Sequence, residues 1–318
     1  MSGAWRLRTL TSIAVSVLVL APACSDSENS QSSDDRNPTK ISLGSLRGRI
    51  VFSREQDGDI WIADVNGANA HRVAHALGPE EDPSWAPDAS KVVYRDSHRG
   101  YNVNDEIYVV NADGSDRRNL TKSSRNEWGP AWSPDGKLIA YNAEVQLYVM
   151  RPDGSHVRRV TDFPAEYPAW SPDGQRLAFM SIRPHASGGD PNYDIFTIGV
   201  DGTGLRQLTT WPHEDGWPAW SPDGRWIAYT STRDNRGQFY GPGPYKTIYV
   251  MKPDGTGKRR VLSPIYGTFP VWSPDGRTIM FSGSRPSRFE ERLWVIRLDG
   301  SGLRPLPLLG NFADWARP

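Results

Sequence analysis

The sequence is poor in cysteine, in excess charge of either sign and in long apolar runs, and each absence excludes a class of protein. Of its 318 residues only Cys24 is a cysteine, which excludes an internal disulfide framework and a cysteine-rich zinc site. Lys and Arg number 37 and Asp and Glu number 37, so the basic excess typical of nucleic-acid-binding proteins is missing. No run of about 18 apolar residues occurs, which excludes an ordinary membrane-spanning helix.

Tryptophan, glycine and proline are abundant instead. The chain has 13 Trp, 30 Gly and 26 Pro, whereas apolar residues make up 37% of it. Frequent turn formers between short apolar runs indicate many short strands joined by many turns. An antiparallel strand with one face in water needs few apolar residues, so the composition favours an all-β fold.

The first residues have the pattern of a secretory signal. Arg6 and Arg8 precede a short apolar stretch over residues 11–21, and small residues follow it up to Cys24. The stretch is too short to span a bilayer and has the length and charge of a signal peptide. The four residues that end at Cys24 resemble the signal of bacterial lipoproteins, which implies a signal peptide over 1–23 and a lipidated Cys24 held on a bilayer. A plain secretory signal with a free Cys24 is the alternative.

The next segment, residues 24–46, is rich in Ser, Asp and Asn and poor in apolar residues. It cannot bury enough apolar surface to offset the entropy lost on ordering. We therefore predict a flexible tether over 24–46 and a folded domain over 47–318.

One motif recurs along the predicted domain. Trp-Ser-Pro-Asp-Gly or a variant of it returns every 38 to 52 residues, which is the period of a propeller blade. Pro, Asp and Gly suit a tight turn, and the Trp supplies buried area between blades, so we predict a structural role for the motif. Its repeated residues are Trp85, Trp132, Trp170, Trp220, Trp272 and Trp315, with Asp88, Asp135, Asp173, Asp223 and Asp275.

Three more strand signals follow each of the first five motifs, and a sixth set precedes Trp85, which gives four strands in each of six blades. The first blade has no Trp strand before it, and the last Trp strand has no blade after it. We predict an all-β, six-bladed β-propeller in which the N-terminal and C-terminal strands complete one blade, because closing the ring removes open sheet edges.

The repeat resembles the WD40-like Pro-Asp repeat of TolB-type six-bladed propellers, over residues 47–318. The resemblance implies an extracytoplasmic, cell-envelope location and a protein partner, although the identity of TolB's own partner does not transfer. TolB carries an α/β domain before its propeller, and this chain has only the predicted tether there. We expect a monomeric, TolB-like propeller lipoprotein without that domain.

Two kinds of loop are predicted to leave opposite faces of the propeller. The motif turns and the Asn/Asp-Gly turns are short and uniform, whereas the blade-to-blade connections vary. The second-to-third-strand loops vary too, and we predict long ones over 97–105, 181–194, 231–247 and 282–292. Binding usually resides in variable loops on a rigid scaffold.

Aromatic and acidic residues converge on the predicted mouth of the central channel, where they form either a peptide or sugar pocket or a set of side chains that fills the channel end. The candidate binding residues are Glu81, Asp82, Glu127, Trp128, Glu166, Tyr167, Asp215, Trp217, Phe239, Tyr240, Phe269 and Phe312.

Signals of catalysis are scarce. The sequence contains neither a Gly-x-Ser-x-Gly elbow nor a His-Glu-x-x-His helix, so we assign no catalytic residue, no metal and no cofactor. The acidic groups 80–82 and 213–215 leave open a Ca²⁺ site with oxygen ligands or a lyase-type metal site. The leading hypothesis is a membrane-anchored protein- or peptide-binding module rather than an enzyme. A carbohydrate-binding or carbohydrate-active propeller and a purely structural envelope protein are the alternatives.

Overall fold

Short antiparallel strands, grouped in fours, account for nearly all regular structure in the computed structural model of the chain. The structure describes residues 41–54, 56–97, 104–183, 192–210, 213–233, 246–261, 265–285 and 288–316. Within these ranges, 24 strands form six four-stranded sheets, and the one helical element is a 3-10 turn at Leu43–Ser45. No helix in these ranges is long and apolar enough to span a membrane.

The strands fall into six blades in chain order. Blade 1 contains β1 (Arg49–Ser53), β2 (Ile60–Asp64), β3 (His71–Ala74) and, from the other end of the chain, β24 (Asn311–Trp315). Blades 2 and 3 contain β4 (Glu80–Trp85), β5 (Lys91–Asp96), β6 (Glu106–Asn111), β7 (Arg118–Asn119), β8 (Glu127–Trp132), β9 (Ile139–Ala143), β10 (Gln146–Met150) and β11 (Arg158–Arg159). Blades 4 to 6 contain β12 (Glu166–Trp170), β13 (Arg176–Arg183), β14 (Asn192–Gly199), β15 (Arg206–Gln207), β16 (Asp215–Trp220), β17 (Ile227–Ser231), β18 (Thr247–Met251), β19 (Arg259–Arg260), β20 (Tyr266–Trp272), β21 (Thr278–Arg285), β22 (Arg288–Arg297) and β23 (Arg304–Leu309).

The ring closes as the sequence predicts. In blade 1 the last strand of the chain, β24, pairs antiparallel with the first, β1, with Ile50 opposite Trp315 and Val51 opposite Asp314. β1 and β24 therefore belong to one sheet, and β24 takes the innermost position that the Trp strand has in the other five blades. The prediction of an all-β, six-bladed propeller is confirmed.

The motif turns are held by their own side chains. In blade 3, Ser133 Oγ donates to Asp135 Oδ1 at 2.8 Å, and the same oxygen accepts the Lys137 N–H at 3.1 Å. Gly136 takes the left-handed φ of 71° that such a turn requires. Equivalent Ser–Asp bonds of 2.5 to 2.6 Å recur in blades 4, 5 and 6.

The motif tryptophans pack between neighbouring blades. Trp170 and Trp272 are buried, and each indole Nε1 donates at 3.0 Å to a carbonyl of the preceding blade, at Ala131 and Ala219. Burying a large side chain of this kind stabilises the fold by roughly 1.5–3 kcal/mol. In blades 4 and 6 the motif tryptophan thus joins its blade to the one before it.

The strand order separates two faces of the propeller. The turns within the Trp motifs and the Asn/Asp-Gly turns lie on one face, here called the motif face. The blade-to-blade connections and the loops between second and third strands lie on the other, here called the variable face. The sequence predicts the same division into two faces.

Two of the predicted long loops are partly strand, which corrects that prediction. Residues 181–183 and 192–194 extend β13 and β14, and residues 282–285 and 288–292 extend β21 and β22. Backbone pairing continues there through polar and charged residues, which carry no apolar alternation for a sequence pattern to detect.

Ordered structure also begins earlier than the sequence indicates. Ile41, within the predicted tether, is 3% exposed, and Leu43 and Leu46 pack against the same apolar cluster. Spacing of two or three residues brings these side chains to one surface in spite of the polar residues between them. Residues 1–40, including Cys24, lie outside the described residues.

Candidate functional site

A bulge interrupts the innermost strand of every blade at the same position. The pairing register shifts there in all six blades, and the residue at each shift has a left-handed φ between 44° and 58°. Such a φ is uncommon outside glycine and turns the side chain toward the axis of the ring. These ring residues are Asp82, Gly129, Tyr167, Trp217, Phe269 and Phe312.

Four of the ring residues form an aromatic cluster. Trp217 lies between Tyr167 and Phe269, with ring centroids at 6.1 and 4.8 Å, and Phe269 stacks obliquely on Phe312 at 4.2 Å. Tyr167 also lies against Gly129, where an added Cβ would meet the Tyr167 ring at 3.4 Å. The sequence leaves open either a binding pocket or a set of side chains that fills the channel end. These contacts favour the second arrangement.

The central channel extends from the aromatic cluster to the motif face. It encloses about 370 Å³, and its walls are the innermost strands of all six blades. At one end it is lined by the ring residues, and at the other by the motif-turn prolines Pro87, Pro134, Pro172, Pro222 and Pro274. The channel therefore opens on the motif face and is obstructed toward the variable face.

Two buried carboxyl groups give one side of this apolar channel its polarity. Asp82 Oδ2 accepts the Gly129 N–H at 3.2 Å, and burial, reinforced by the charge of Asp105, raises the pKa of Asp82 to about 7. Asp314 Oδ2 accepts the Trp85 N–H at 2.8 Å, and burial likewise raises its pKa.

A buried ion-pair network lies beside the channel, under the variable face of blade 2. Arg95 pairs with Glu81, and its guanidinium lies 3.5 Å from Asp82 Oδ2 and 3.3 Å from Asp105 Oδ2. Only 11% of the Arg95 side chain is exposed. Glu81 and Asp82, predicted at a binding surface, are thus occupied by internal partners, and removing one would leave a buried charge unpaired.

The other predicted acids also point into the fold. Burial raises the pKa of Glu127 to about 7, although the Ser123 hydroxyl bonds to it. Burial raises the pKa of Asp215, which lies 3.8 Å from Arg233, and that of Glu166, which accepts from the Tyr193 hydroxyl at 3.1 Å. These groups form no acidic rim in water.

Glu80, which precedes the predicted pair, is more deeply buried still. It is 0% exposed, and burial with the charges of Asp96 and Asp59 raises its pKa to about 8. It faces Asp59, which in turn holds Arg72 at 2.9 Å and His75 at 3.1 Å. This environment favours the protonated form of Glu80 over the carboxylate that would bind a cation.

Trp128 is the predicted aromatic that remains at the variable face. The ring position of blade 3 belongs to Gly129, so Trp128 lies one residue before it, opposite Asn142 and half-buried. Sequence inspection had placed Trp128 with Tyr167 and Trp217 at the channel mouth. The one-residue offset turns its side chain away from the channel.

Exposed apolar side chains on the variable face were missed by the sequence reasoning. Leu77 is fully exposed in the connection from blade 1 to blade 2, Val145 is 46% exposed between β9 and β10, and Ile182 is 38% exposed near the end of β13. The signal was present in the sequence as apolar residues within predicted loops.

Two predicted residues and the possible metal site remain to be placed. Phe239 and Tyr240 lie outside the described residues. Across the ranges that the structure describes, no three His, Cys, Asp or Glu side chains are grouped so that they could hold a metal ion.

Comparison with known proteins agrees with this architecture. The family model of the TolB beta propeller domain matches residues 49–167 and 162–244, which is more than half of the chain. No curated protein matches the chain.

Solved structures share the fold at low sequence identity. TolB from Acinetobacter baumannii is 22% identical with a TM-score of 0.66, and the match covers 85% of this chain and 66% of that one. A protein assigned provisionally as TolB from Agrobacterium tumefaciens is 22% identical with a TM-score of 0.63, covering 84% of this chain and 92% of that one. Hydrazine synthase from Kuenenia stuttgartiensis is 13% identical with a TM-score of 0.69, covering 85% and 46%.

This chain therefore spans just under two thirds of the length of the Acinetobacter TolB. The resemblance drawn from the Trp-Ser-Pro-Asp-Gly repeat is confirmed by the family model and by the six blades. The chain belongs to the TolB β-propeller family.

Proposed function

We propose that this chain is a lipid-anchored, extracytoplasmic propeller that binds an envelope protein or peptide through its variable face. One observation carries the proposal. Four large apolar side chains are exposed in the described ranges, and Leu77, Val145 and Ile182 lie on the variable face, with Val157 on the motif face. Protein–protein contact sites carry exposed apolar surface, and three of these four side chains share the variable face.

The location rests on the N-terminal sequence and on the family. The signal-like residues 1–23 direct the chain out of the cytoplasm, and lipidation of Cys24 attaches it to a bacterial membrane. Membership of the TolB propeller family supports an envelope location and a protein partner in coarse terms. A net charge of zero is consistent with the absence of a nucleic-acid partner.

The proposal differs from the sequence-based hypothesis in the residues that make contact. Tyr167, Trp217 and Phe269 pack on one another, so they position the surrounding strands and offer little surface to a partner. Trp128 and the three exposed apolar residues take over the role of contact residues. The carbohydrate alternative depended on the aromatic and acidic mouth, and the burial of those residues does not favour it.

A matched pair of variants on blade 3 tests the proposal. Val145→Glu places a charge on the variable face, and Val157→Glu places the same charge on the motif face, at a site 53% exposed against 46%. The lipidated protein would be cross-linked in its native envelope and captured partners identified by mass spectrometry. We expect Val145→Glu to lose at least about tenfold in capture of a reproducible partner, as a contact residue worth more than 1.4 kcal/mol would.

The control defines what contradicts the proposal. Val157→Glu should capture the partner as the unaltered protein does. If both variants capture it equally, or if only Val157→Glu loses it, the variable face of blade 3 is not the contact surface.

A further inference from the structure

The propeller is joined to its N-terminal extension by an ordered segment, residues 41–48, here called the strap. Ile41 is buried, and its carbonyl accepts a hydrogen bond from Arg304 Nη1 at 2.9 Å. At the other end, the Arg47 carbonyl accepts from Trp315 Nε1 at 2.8 Å. The strap is therefore attached at both ends by hydrogen bonds to strands of two different blades.

Apolar packing adds to these hydrogen bonds. Leu43 and Leu46 pack against the cluster that contains Leu306 of blade 6 and Trp315 of blade 1. A segment with three apolar contacts and two hydrogen bonds is held on the propeller rather than free in solution. The chain that precedes the propeller is thus attached to it at residue 41.

The attachment point lies on the motif face. Ile41 is next to Gly302, where an added Cβ would lie 2.7 Å from Ile41 Cγ1. Gly302 belongs to the turn between β22 and β23, which is one of the motif-face turns. The strap then leads to Gly48 beside Ala316, where β1 begins at the motif face.

The predicted tether between Cys24 and Ile41 is similar in length to the distance between the two faces of the propeller. It spans 17 residues (41 − 24), for which a flexible chain has a root-mean-square length of about 23 Å. The two faces are separated by a similar distance, since the eight residues from Lys137 to Val145, which include the strand β9, extend at most roughly 26 Å. A tether of this length brings the face to which it is attached closer to its anchor than the opposite face.

We infer that the strap orients the anchored propeller with its motif face toward the membrane and its variable face away from it. The inference rests on the proposed lipid anchor at Cys24 and adds the direction of presentation. A partner of the variable face then approaches from the aqueous side, and the open end of the central channel faces the lipid surface.

The orientation can be measured without relying on natural lipidation. The mature chain would be coupled through its single cysteine, Cys24, to a maleimide lipid in phosphatidylcholine vesicles that carry an acceptor dye on their headgroups. A donor dye would be attached through an azide-bearing residue that replaces either Lys137, on the motif face, or Val145, on the variable face. The two sites lie at opposite ends of β9, and both are exposed.

We expect energy transfer from residue 137 to exceed that from residue 145 by about twofold, given that the two sites lie up to roughly 26 Å apart. Equal transfer, or higher transfer from residue 145, would overturn the inference. Natural lipidation is checked separately by mass spectrometry of the N-terminal peptide from cells, so a free Cys24 there would contradict the anchor and leave the measured orientation intact.

A variant of the strap tests its role. Ile41→Asp places a charge at a buried site and should free the strap, which lengthens the tether and reduces the transfer ratio toward one. Ser42→Asp introduces the same charge at the exposed neighbouring residue and should keep the twofold ratio. Circular dichroism confirms that both variants keep the β-propeller. An unchanged ratio in folded Ile41→Asp would show that the strap does not set the orientation.

Discussion

At the residue scale, the roles of single side chains depend on which way a bulge turns them. Trp128 and Tyr167 occur in similar sequence contexts, but Trp128 lies four residues before the motif Trp132 and Tyr167 lies three residues before the motif Trp170. The residue three before the motif Trp takes the left-handed φ in each blade, and in blade 3 that residue is Gly129, so Tyr167 enters the channel end and Trp128 does not. The amino-acid types predict an aromatic cluster here, but the register of the bulge determines which residues belong to that cluster.

The buried acids were equally beyond sequence reasoning. Glu80, Glu127 and Asp215 follow loops that look solvated, and an acidic pair before a strand is usually exposed. The fold instead places each at the start of an innermost strand, covered by the neighbouring blade. Their exposure is determined by ring closure, which brings together residues far apart in the chain.

Glu80 provides a pH-dependent test of this burial. The native state holds the Glu80 proton up to about pH 8, whereas the unfolded chain releases it near 4.5. The free energy of unfolding therefore falls as pH rises from about 4.5 to 8, because in this range Glu80 ionises in the unfolded chain but stays protonated in the native state. Glu80→Gln replaces the carboxyl by a neutral group of similar size and removes this loss, so it should stabilise the protein at pH 8 by on the order of a few kcal/mol and hardly at pH 4.

Thermal unfolding of both proteins across this pH range is the measurement. Asp135 has a pKa shifted in the opposite direction from that of Glu80, because hydrogen bonds from the Ser133 hydroxyl and the Lys137 N–H lower it. Asp135→Asn is therefore the matched comparison. This substitution should cost stability at pH 7, and that cost should disappear as pH falls below the ordinary value of 3.8. A Glu80→Gln effect that is the same at pH 4 and pH 8 would contradict a protonated, buried Glu80.

At the element scale, the order and number of strands were predictable because each blade repeats four independent signals. The Trp motif, the β-rich run, the third strand and the Asn/Asp-Gly turn each predict one segment, and all of them are present in the structure. The hairpin of β21 and β22 was not predictable in full, since its outer part pairs through Arg and Glu backbone rather than apolar side chains. The strap was not predicted for a related reason, because its three apolar residues are separated by polar ones.

Closure of the ring makes a prediction at the same scale. Trp315 on β24 and Trp170 on β12 are similarly buried, at 6% and 8% exposure, and each indole Nε1 donates to a backbone carbonyl. If the composite blade is as tightly packed as the continuous ones, Trp315→Ala and Trp170→Ala should each cost about 3–5 kcal/mol in the free energy of unfolding.

Denaturant unfolding of the two variants is the comparison. The closure would be contradicted if Trp315→Ala cost less than about 1 kcal/mol while Trp170→Ala cost several kcal/mol. That result would mean that β24 can detach while the rest of the propeller stays folded.

At the scale of the whole molecule, the two faces have different jobs. The motif face carries short turns held by their own Ser and Asp side chains, receives the strap and surrounds the open end of the channel. The variable face carries the exposed apolar residues and lies over the aromatic cluster that obstructs the channel. The family and the fold could be identified from the repeat alone, but the division of labour between faces required the burial of individual side chains.

The most direct measurement of this account is photo-cross-linking in the native envelope from two positions of one blade. A photoreactive residue would replace Val145 on the variable face or Val157 on the motif face, both in the otherwise unaltered lipidated chain. We predict a discrete protein adduct from position 145 that is absent from position 157. An adduct from position 157 alone, or the same adduct from both, would contradict the assignment of the variable face as the binding surface.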